Sequence, residues 1–269
     1  MIRDLILLIT LLSFLVGCQY EVTPWQTDAN CSSGLRTQAN IEKIGRLENK
    51  VGFKEEFQVA IVSDPQQYPG NFEDVIKHVD GLDAVDFVIV SGDLTETGIK
   101  AEFEWTCKAM EKTDKPIFAV VGNHDAISFG KEIWLDVFGP YDFSFDYQGV
   151  RFIAYNDNKY EFSDVPDRDW LAQQAAGDAG RRYTIVTSHI APWDGSDLSD
   201  YLDSLGVDLG LHGHEHRFDY WQFSDVLLDH HITSTVKEHE FALLTVNSSG
   251  LTLENCDLGK CEVAQVRSR

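Results

Sequence analysis

Apolar residues along this chain gather into short continuous runs separated by stretches of helical spacing. The runs are four to six residues long and rich in Val, Ile and Phe: Phe57 to Val62, Phe87 to Val90, Ile117 to Val121, Tyr183 to Thr187 and Val207 to Leu211. Runs of this kind predict buried strands of an α/β sheet. Helical spacing predicts helices over Asn71 to Val79, Ile99 to Glu111, Lys131 to Phe138 and Asp167 to Ala176. Further along, Trp221 to Val246 and Leu251 to Glu254 read as strands completing a second sheet. Residues 19 to about 56 are polar and mixed, with weak helical periodicity over Ile41 to Leu47, and read as a tether.

Each of the five runs is followed by a polar cluster: Ser63-Asp64-Pro65-Gln66, Gly92-Asp93, Gly122-Asn123-His124-Asp125, Ser188-His189 and Gly213-His214-Glu215-His216. Ligands of such sheets bind outside the carboxyl ends of the strands, so the clusters are expected to converge on one crevice. Taken singly, each has a plainer explanation. Ser63-Asp64, Gly92-Asp93 and Gly122-Asn123 are common turn sequences, and a lone His189 reads as a satisfied histidine near the core. Their joint occurrence at successive strand ends is what points to a shared site. Carboxylate, amide oxygen and imidazole donors together suit Mn, Fe or Zn. The short carboxylate of Asp93 can bridge two such cations held about 3.5–4 Å apart.

The order Asp-x-Gln, Gly-Asp, Gly-Asn-His-Asp, His, Gly-His-x-His, running from about residue 57 to 216, resembles the calcineurin-like metallophosphoesterases. The resemblance implies a four-layer αββα sandwich of two mixed β-sheets. It also implies hydrolysis of small organic phosphate mono- or diesters by attack of a hydroxide bridging two metal ions. One ion would take Asp64, Gln66, Asp93 and His216, and the other Asp93, Asn123, His189 and His214. His124 would protonate the leaving alkoxide, oriented by the carboxylate of Glu96 or of Asp125. The family pattern most often has His at the position of Gln66, and an amide oxygen there favours Mn or Fe, with Zn still compatible. His212 shares the face and spacing of His214 and His216 but is set aside, because the motif begins at Gly213. His78, His230, His231 and His239 match nothing and read as surface or packing residues. A metal-binding protein of the same fold without turnover is the alternative, and loss of His124 or Asp93 would have favoured it; both are present.

Upstream of this region, Met1 to Arg3 precede an apolar stretch from Leu5 to Val16 that ends in Leu15-Val16-Gly17-Cys18. The stretch is short of the ~20 residues a bilayer span needs and suits a signal-peptide core. Its end resembles a bacterial lipobox, which implies cleavage before Cys18 and lipidation of that cysteine. Gln19 after it favours the outer membrane. An ordinary secretory signal with a chance cysteine is the plainer alternative. The division expected is a lipoprotein signal peptide over 1–17, a tether over 18–56 and a metallophosphoesterase domain over 57–269. Of the five cysteines, removing Cys18 leaves Cys31, Cys107, Cys256 and Cys261. Four cysteines in an exported chain allow three pairings. A local bridge across Asp257 to Lys260 comes first, with Cys31 to Cys107 following from it; buried free thiols are the other option.

Charge narrows the partners. Twenty-two basic against 44 acidic residues leave a net −22, which repels polyanions, so long nucleic acid is not an expected substrate. The same acidity also suits solubility in a saline medium. Cyclic nucleotides, free nucleotides and phospholipid head groups are all compatible with the rim. Arg217, Lys131 and Trp193 are candidates to line the pocket, although each reads more simply as a surface or packing residue.

Overall fold

Every described strand of the computed structural model lies in one of two six-stranded sheets, and the alternation of side chains along the strands explains why the sheets stack. The structure describes residues 25–177, 180–193, 197–222 and 228–268. The expected signal peptide, Cys18 and Gln19 lie outside the described residues. Among those described, the helices are α1 (Thr37–Val51), α2 (Pro69–Asp80), α3 (Lys100–Met110), α4 (Gly130–Val137), α5 (Arg168–Ala175) and α6 (Asp197–Ser204). The strands are β1 (Phe57–Val62), β2 (Val85–Val90), β3 (Ile117–Ala119), β4 (Phe143–Tyr147), β5 (Val150–Ala154), β6 (Tyr183–Thr187), β7 (Leu209–His212), β8 (Asp219–Gln222), β9 (Asp229–Ile232), β10 (Phe241–Asn247), β11 (Gly250–Cys256) and β12 (Cys261–Ser268). The first sheet has the order β12-β11-β10-β1-β2-β3 and the second β4-β5-β6-β7-β9-β8. Both are mixed: β1, β2 and β3 run parallel, as do β5, β6, β7 and β9, while hairpin partners are antiparallel.

Period-two alternation sorts the apolar residues into layers. Along β1, Val59 and Ile61 face the second sheet, whereas Ala60 and Val62 face α2. Phe72, Val75, Ile76 and Val79 recur at three- and four-residue spacing and turn one stripe of α2 onto the sheet. Between the sheets, Phe87 sits edge-on to Phe118, Phe145, Tyr147 and Phe152, at centroid distances of 5.2 to 6.1 Å. A third cluster places Leu171 of α5 and Leu198 and Leu202 of α6 against Ile153 and Val186 on the far face of the second sheet. The result is the helix–sheet–sheet–helix sandwich the resemblance implies.

Two expectations are corrected. The strands after residue 219 do not all complete the second sheet: β8 and β9 do, but β10, β11 and β12 join the first, because β10 pairs antiparallel with β1. The hairpin of β4 and β5 and helix α6 carried no expectation. The tether read over 18–56 also differs, since much of residues 31–56 is packed structure. Ile44 of α1 is buried in the inter-sheet core with Ile41 and Leu47 partly buried beside it, and a Cys31–Cys107 disulfide fixes the preceding segment to α3. The weak periodicity over Ile41 to Leu47 was the narrow buried stripe of a helix that lies over a sheet edge. A second disulfide joins Cys256 and Cys261 across the β11–β12 turn, so both bridges match the first choice of pairing.

Helix α1 covers the side on which β3 and β4 end their sheets. Asn40, fully buried, accepts a hydrogen bond from the Ile117 backbone N–H at 3.0 Å through Oδ1, and donates to the Gly34 and Arg36 carbonyls at 3.1 Å through Nδ2. An edge strand with open donors invites pairing with another chain, and this side chain closes it. Asn40→Ala would leave the Ile117 N–H buried and unpaired, so a loss of about 1–3 kcal/mol of unfolding free energy is expected. Urea titration followed by tryptophan fluorescence measures it; an unchanged midpoint would remove Asn40 from this role.

Candidate metal centre

Strands β1, β2 and β3 are parallel neighbours in one sheet and β6 and β7 in the other. Stacking the sheets therefore brings the carboxyl ends of all five together, with their polar clusters. Backbone bonds then tie the clusters to one another. Asp64 N–H donates to the Gly92 carbonyl at 3.2 Å, Gln66 N–H to the Asp93 carbonyl at 3.1 Å, and Gly213 N–H to the His189 carbonyl at 2.9 Å. Across the two sheets, His214 N–H donates to both carboxylate oxygens of Asp64 at 3.1 Å.

The side chains follow. Asp93, His189 and His214 offer ligand atoms that all lie within 4.8 Å of one another. His189 Nε2 is 3.1 Å from Asp93 Oδ2 and 3.3 Å from His214 Nδ1. His189 Nδ1 is 2.8 Å from the Ser91 carbonyl, which can only accept, so that nitrogen carries a hydrogen and Nε2 is the atom left to face the crevice. Burial alone would lower the pKa of His189, but the Asp93 carboxylate reverses this and holds it up at about 10. A point that favours positive charge this strongly, ringed by lone pairs, suits a cation. On the other side, His216 Nε2 stands 3.4 Å from Asp64 Oδ1.

Two amide oxygens complete the donor set. Gln66 Oε1 and Asn123 Oδ1 are buried with no hydrogen-bond donor. A buried acceptor without a partner costs about 1–3 kcal/mol, which coordination to a cation would offset. One of them belongs to each expected ligand set, and the donor types suit Mn, Fe or Zn. The residues present therefore fit a metal pair.

The backbone is bent to make this arrangement. Asp64, Asp93, His214 and His216 have φ of 52°, 51°, 72° and 53°, half of the eight non-glycine residues with positive φ among those described. Such strain clusters at functional sites and persists where neighbours over-determine it. Gly122 shows how tight the packing is: a Cβ there would meet Asp93 Oδ1 at 2.1 Å and Asp93 N at 2.2 Å. At Gly92, with φ of 97°, a Cβ would lie 2.3 Å from His189 Nδ1.

His124 lies at the rim beside Asn123. Its N–H donates to Asp93 Oδ1 at 3.0 Å, and its Nδ1 is 2.7 Å from the Glu96 backbone carbonyl. The expected orienting carboxylate is thus replaced by a carbonyl: Glu96 Oε2 is 4.0 Å from Nδ1, beyond hydrogen-bonding reach. Asp125 is not the orienter either. Its Oδ1 accepts from Thr95 N–H and Oγ1 at 2.8 and 2.9 Å and its Oδ2 from Gly122 N–H at 2.9 Å, making it a buried strut between two ligand loops. Burial, with Asp93 nearby, raises its pKa to about 7.

His212, set aside from the ligands, is buried behind them. It lies 3.0 Å from Ser188 Oγ and 3.1 Å from His230 Nδ1, and His230 Nε2 is 2.8 Å from Ser199 Oγ. His230 is thus a core hydrogen-bonding residue, kept neutral by burial that pushes its pKa down to about 4. Trp193 and Arg217 line one cleft beside the centre. Lys131 does not join them: its ammonium is given to the Glu161 carbonyl and lies 4.4 Å above the Phe162 ring. A larger cavity of about 550 Å³, lined by Lys43, Lys50, Lys54 and Asp86 among others, lies where β2 and β3 begin, away from these clusters.

A sixth strand-end cluster was not singled out. Tyr155-Asn156-Asp157-Asn158 follows the apolar run of β5, and its role is to hold two ligand loops. Asp157 accepts from Ile190 N–H, next to His189, at 3.1 Å; Asn158 Nδ2 donates to the Val121 carbonyl, just before Gly122, at 3.0 Å. The signal was the one used elsewhere, an apolar run ending in Asn and Asp, masked by Arg151 within the run.

The chain belongs to the calcineurin-like phosphoesterase family, whose sequence model matches residues 57–218. The family is one of metal-dependent phosphoesterases, hydrolases acting on phosphoric esters. No curated protein matches the chain in sequence. The fold is similar to that of purple acid phosphatase PPD1 from yellow lupin (Lupinus luteus) seeds, with a TM-score of 0.64 and 15% identity over 80% of this chain and 54% of that one. The chain thus spans about half the length of the lupin protein. It is also similar to GAP50, the anchor in the inner membrane complex of Plasmodium, with a TM-score of 0.62, 14% identity and coverage of 80% and 89%. A third likeness is to PhoD, with a TM-score of 0.59, 10% identity and coverage of 81% and 69%. At these identities the likenesses speak for the fold.

If Asp93 serves both cations, Asp93→Asn should sharply lower metal content and cut kcat/KM by more than the about 10–100-fold that losing an outer-shell partner costs. Elemental analysis of the purified variant alongside its rate checks this; full metal content and rate would remove Asp93 from the bridge.

Proposed function

We propose that the protein hydrolyses small organic phosphate mono- or diesters at a dinuclear metal centre. The observation that carries this reading is the pair of orphaned amide oxygens, Gln66 Oε1 and Asn123 Oδ1, one on each side of Asp93 in the ligand order. Asp64, Gln66, Asp93 and His216 would hold one cation and Asp93, Asn123, His189 and His214 the other. Mn or Fe is favoured by the amide at Gln66, and Zn is compatible. Bound there, a cation pair supplies a hydroxide nucleophile at neutral pH and neutralises charge on the phosphoryl oxygens.

The protein's own part is positioning and proton transfer. His124 Nδ1 donates to the Glu96 carbonyl, which directs Nε2 outwards. From there a protonated His124 delivers its proton to the leaving alkoxide. Asp125, Asp157 and Asn158 hold the loops that carry Asn123, His124 and His189, so the acid and the ligands keep a common frame. The net charge of −22 favours small esters over polyanions.

The same reading places the protein outside the cytoplasm, lipid-anchored at Cys18 and facing the periplasm or the cell surface. Its supports are the Leu-Val-Gly-Cys sequence and two disulfides, which suit an oxidising compartment. Cys18→Ala should move the protein from the membrane fraction to the soluble one; unchanged fractionation would argue against the anchor. A fold-sharing protein that binds metal without turnover is the second reading.

The deciding experiment is hydrolysis of nitrophenyl phosphate and bis-nitrophenyl phosphate by protein stripped of metal and refilled with Mn, Fe or Zn. Turnover restored by metal is expected, and the preferred ester separates monoesterase from diesterase. A fully loaded protein with no turnover of either ester would favour the binding reading. His124→Ala should slow alkyl phosphates by about 10²–10⁴-fold but nitrophenyl esters far less, since their leaving group hardly needs a proton. Equal losses on both would give His124 a binding role.

A further inference from the structure

The cleft beside the metal centre has a chemistry of its own. It has a volume of about 260 Å³ and is lined by Pro192, Trp193, Glu215, Arg217, Asp219 and Trp221, among others. Its walls are continuous with the ligands. Pro192 and Trp193 follow His189 by three and four residues, Glu215 lies between His214 and His216, and Arg217 comes next. The organic part of a substrate whose phosphate sits at the centre can therefore extend into this cleft.

Two indoles form the walls. Trp193 is 61% exposed, a large cost in hydration for a ring held next to a rigid Pro192. Lys159 Nζ lies 5.3 Å from the Trp193 centroid and braces it. Trp221 is stacked on the buried His230 ring at 5.4 Å and 21°, which sets its plane. The polar rim has one guanidinium between two carboxylates: Arg217 lies 3.5 Å from Glu215 Oε2 and 3.3 Å from Asp219 Oδ2. These three charges sum to −1, and Arg217 is already shared between the two carboxylates, so this rim disfavours a second phosphate. The carboxylates can instead accept hydrogen bonds from the amino groups on the edge of a base.

Resting on the phosphoesterase reading above, we propose that this cleft is a leaving-group subsite for a nucleoside carrying no further phosphate. The base stacks against Trp193, and the carboxylate rim receives its exocyclic donors. A long flexible head group would gain little from flat rings, and a nucleoside di- or triphosphate would meet the negative rim.

The test compares adenylate with glycerol phosphate as substrates of the metal-loaded full chain. The ratio of their kcat/KM values should fall by at least about tenfold in Trp193→Ala, the loss of one base–ring stack, and largely recover in Trp193→Phe. A ratio unchanged in Trp193→Ala would overturn the subsite. If the wild-type protein turns over neither ester, the subsite is judged by binding alone, and the catalytic reading by the nitrophenyl esters above. Adenosine titrated into the wild-type chain should quench tryptophan fluorescence saturably, and the quench should be lost in Trp193→Ala. No saturable quench, or an equal quench in the variant, would overturn it.

Discussion

The contact on which the rest of this molecule depends is the one between Asp93 and His189. The two residues belong to different sheets, Asp93 after β2 and His189 after β6, and they meet at 3.1 Å only because the sheets are stacked face to face with their parallel strands pointing the same way. The aromatic cluster around Phe87 sets that stacking from below, since Phe87 sits on β2 and touches β4 and β5. Packing in the core and charge at the rim are thus two ends of the same strands. A change in sheet spacing would be felt first as a change in the distance between a carboxylate and an imidazole.

Around that contact the chain gives up local comfort for position. Left-handed backbone at Asp64, Asp93, His214 and His216 would be unfavourable in isolation, yet each of the loops concerned is held by hydrogen bonds from another cluster. Asp125 and Asp157 are buried acids whose work is mechanical, and the Ser188–His212–His230–Ser199 chain does the same beneath His189. The conformational demands of the ligands are met by one another and by residues that never reach the crevice.

Much of this was legible in the chain. The strands before the five clusters were visible because they are buried on both faces, and continuous apolar runs are what such burial demands. The ligand types were visible because metal chemistry permits few alternatives. What escaped has physical causes. Strands β4 and β5 alternate polar and apolar residues, as in Ser144, Asp146 and Arg151, so no continuous run announced them. Helix α1 shows only a narrow buried stripe, because it lies over an edge rather than on a face. The choice between Glu96 and Asp125 could not be made from spacing, since the partner of His124 proved to be a main-chain carbonyl, which every residue has. The sheet joined by β10 depended on a long-range pairing with β1, which leaves no local mark.

The clasp formed by α1 and the Cys31–Cys107 bridge bears on how this protein can be made. Every candidate ligand lies after residue 57, so a version cut at that point would carry the whole metal centre on paper. It would also bare the open backbone of β3 and the core around Ile44, and would present them to other copies of itself. The same would follow in a reducing compartment if loss of the bridge let the segment before α1 drift. For this chain, then, the portion that does the chemistry and the portion that keeps it from aggregating are different stretches of sequence, and the second comes first.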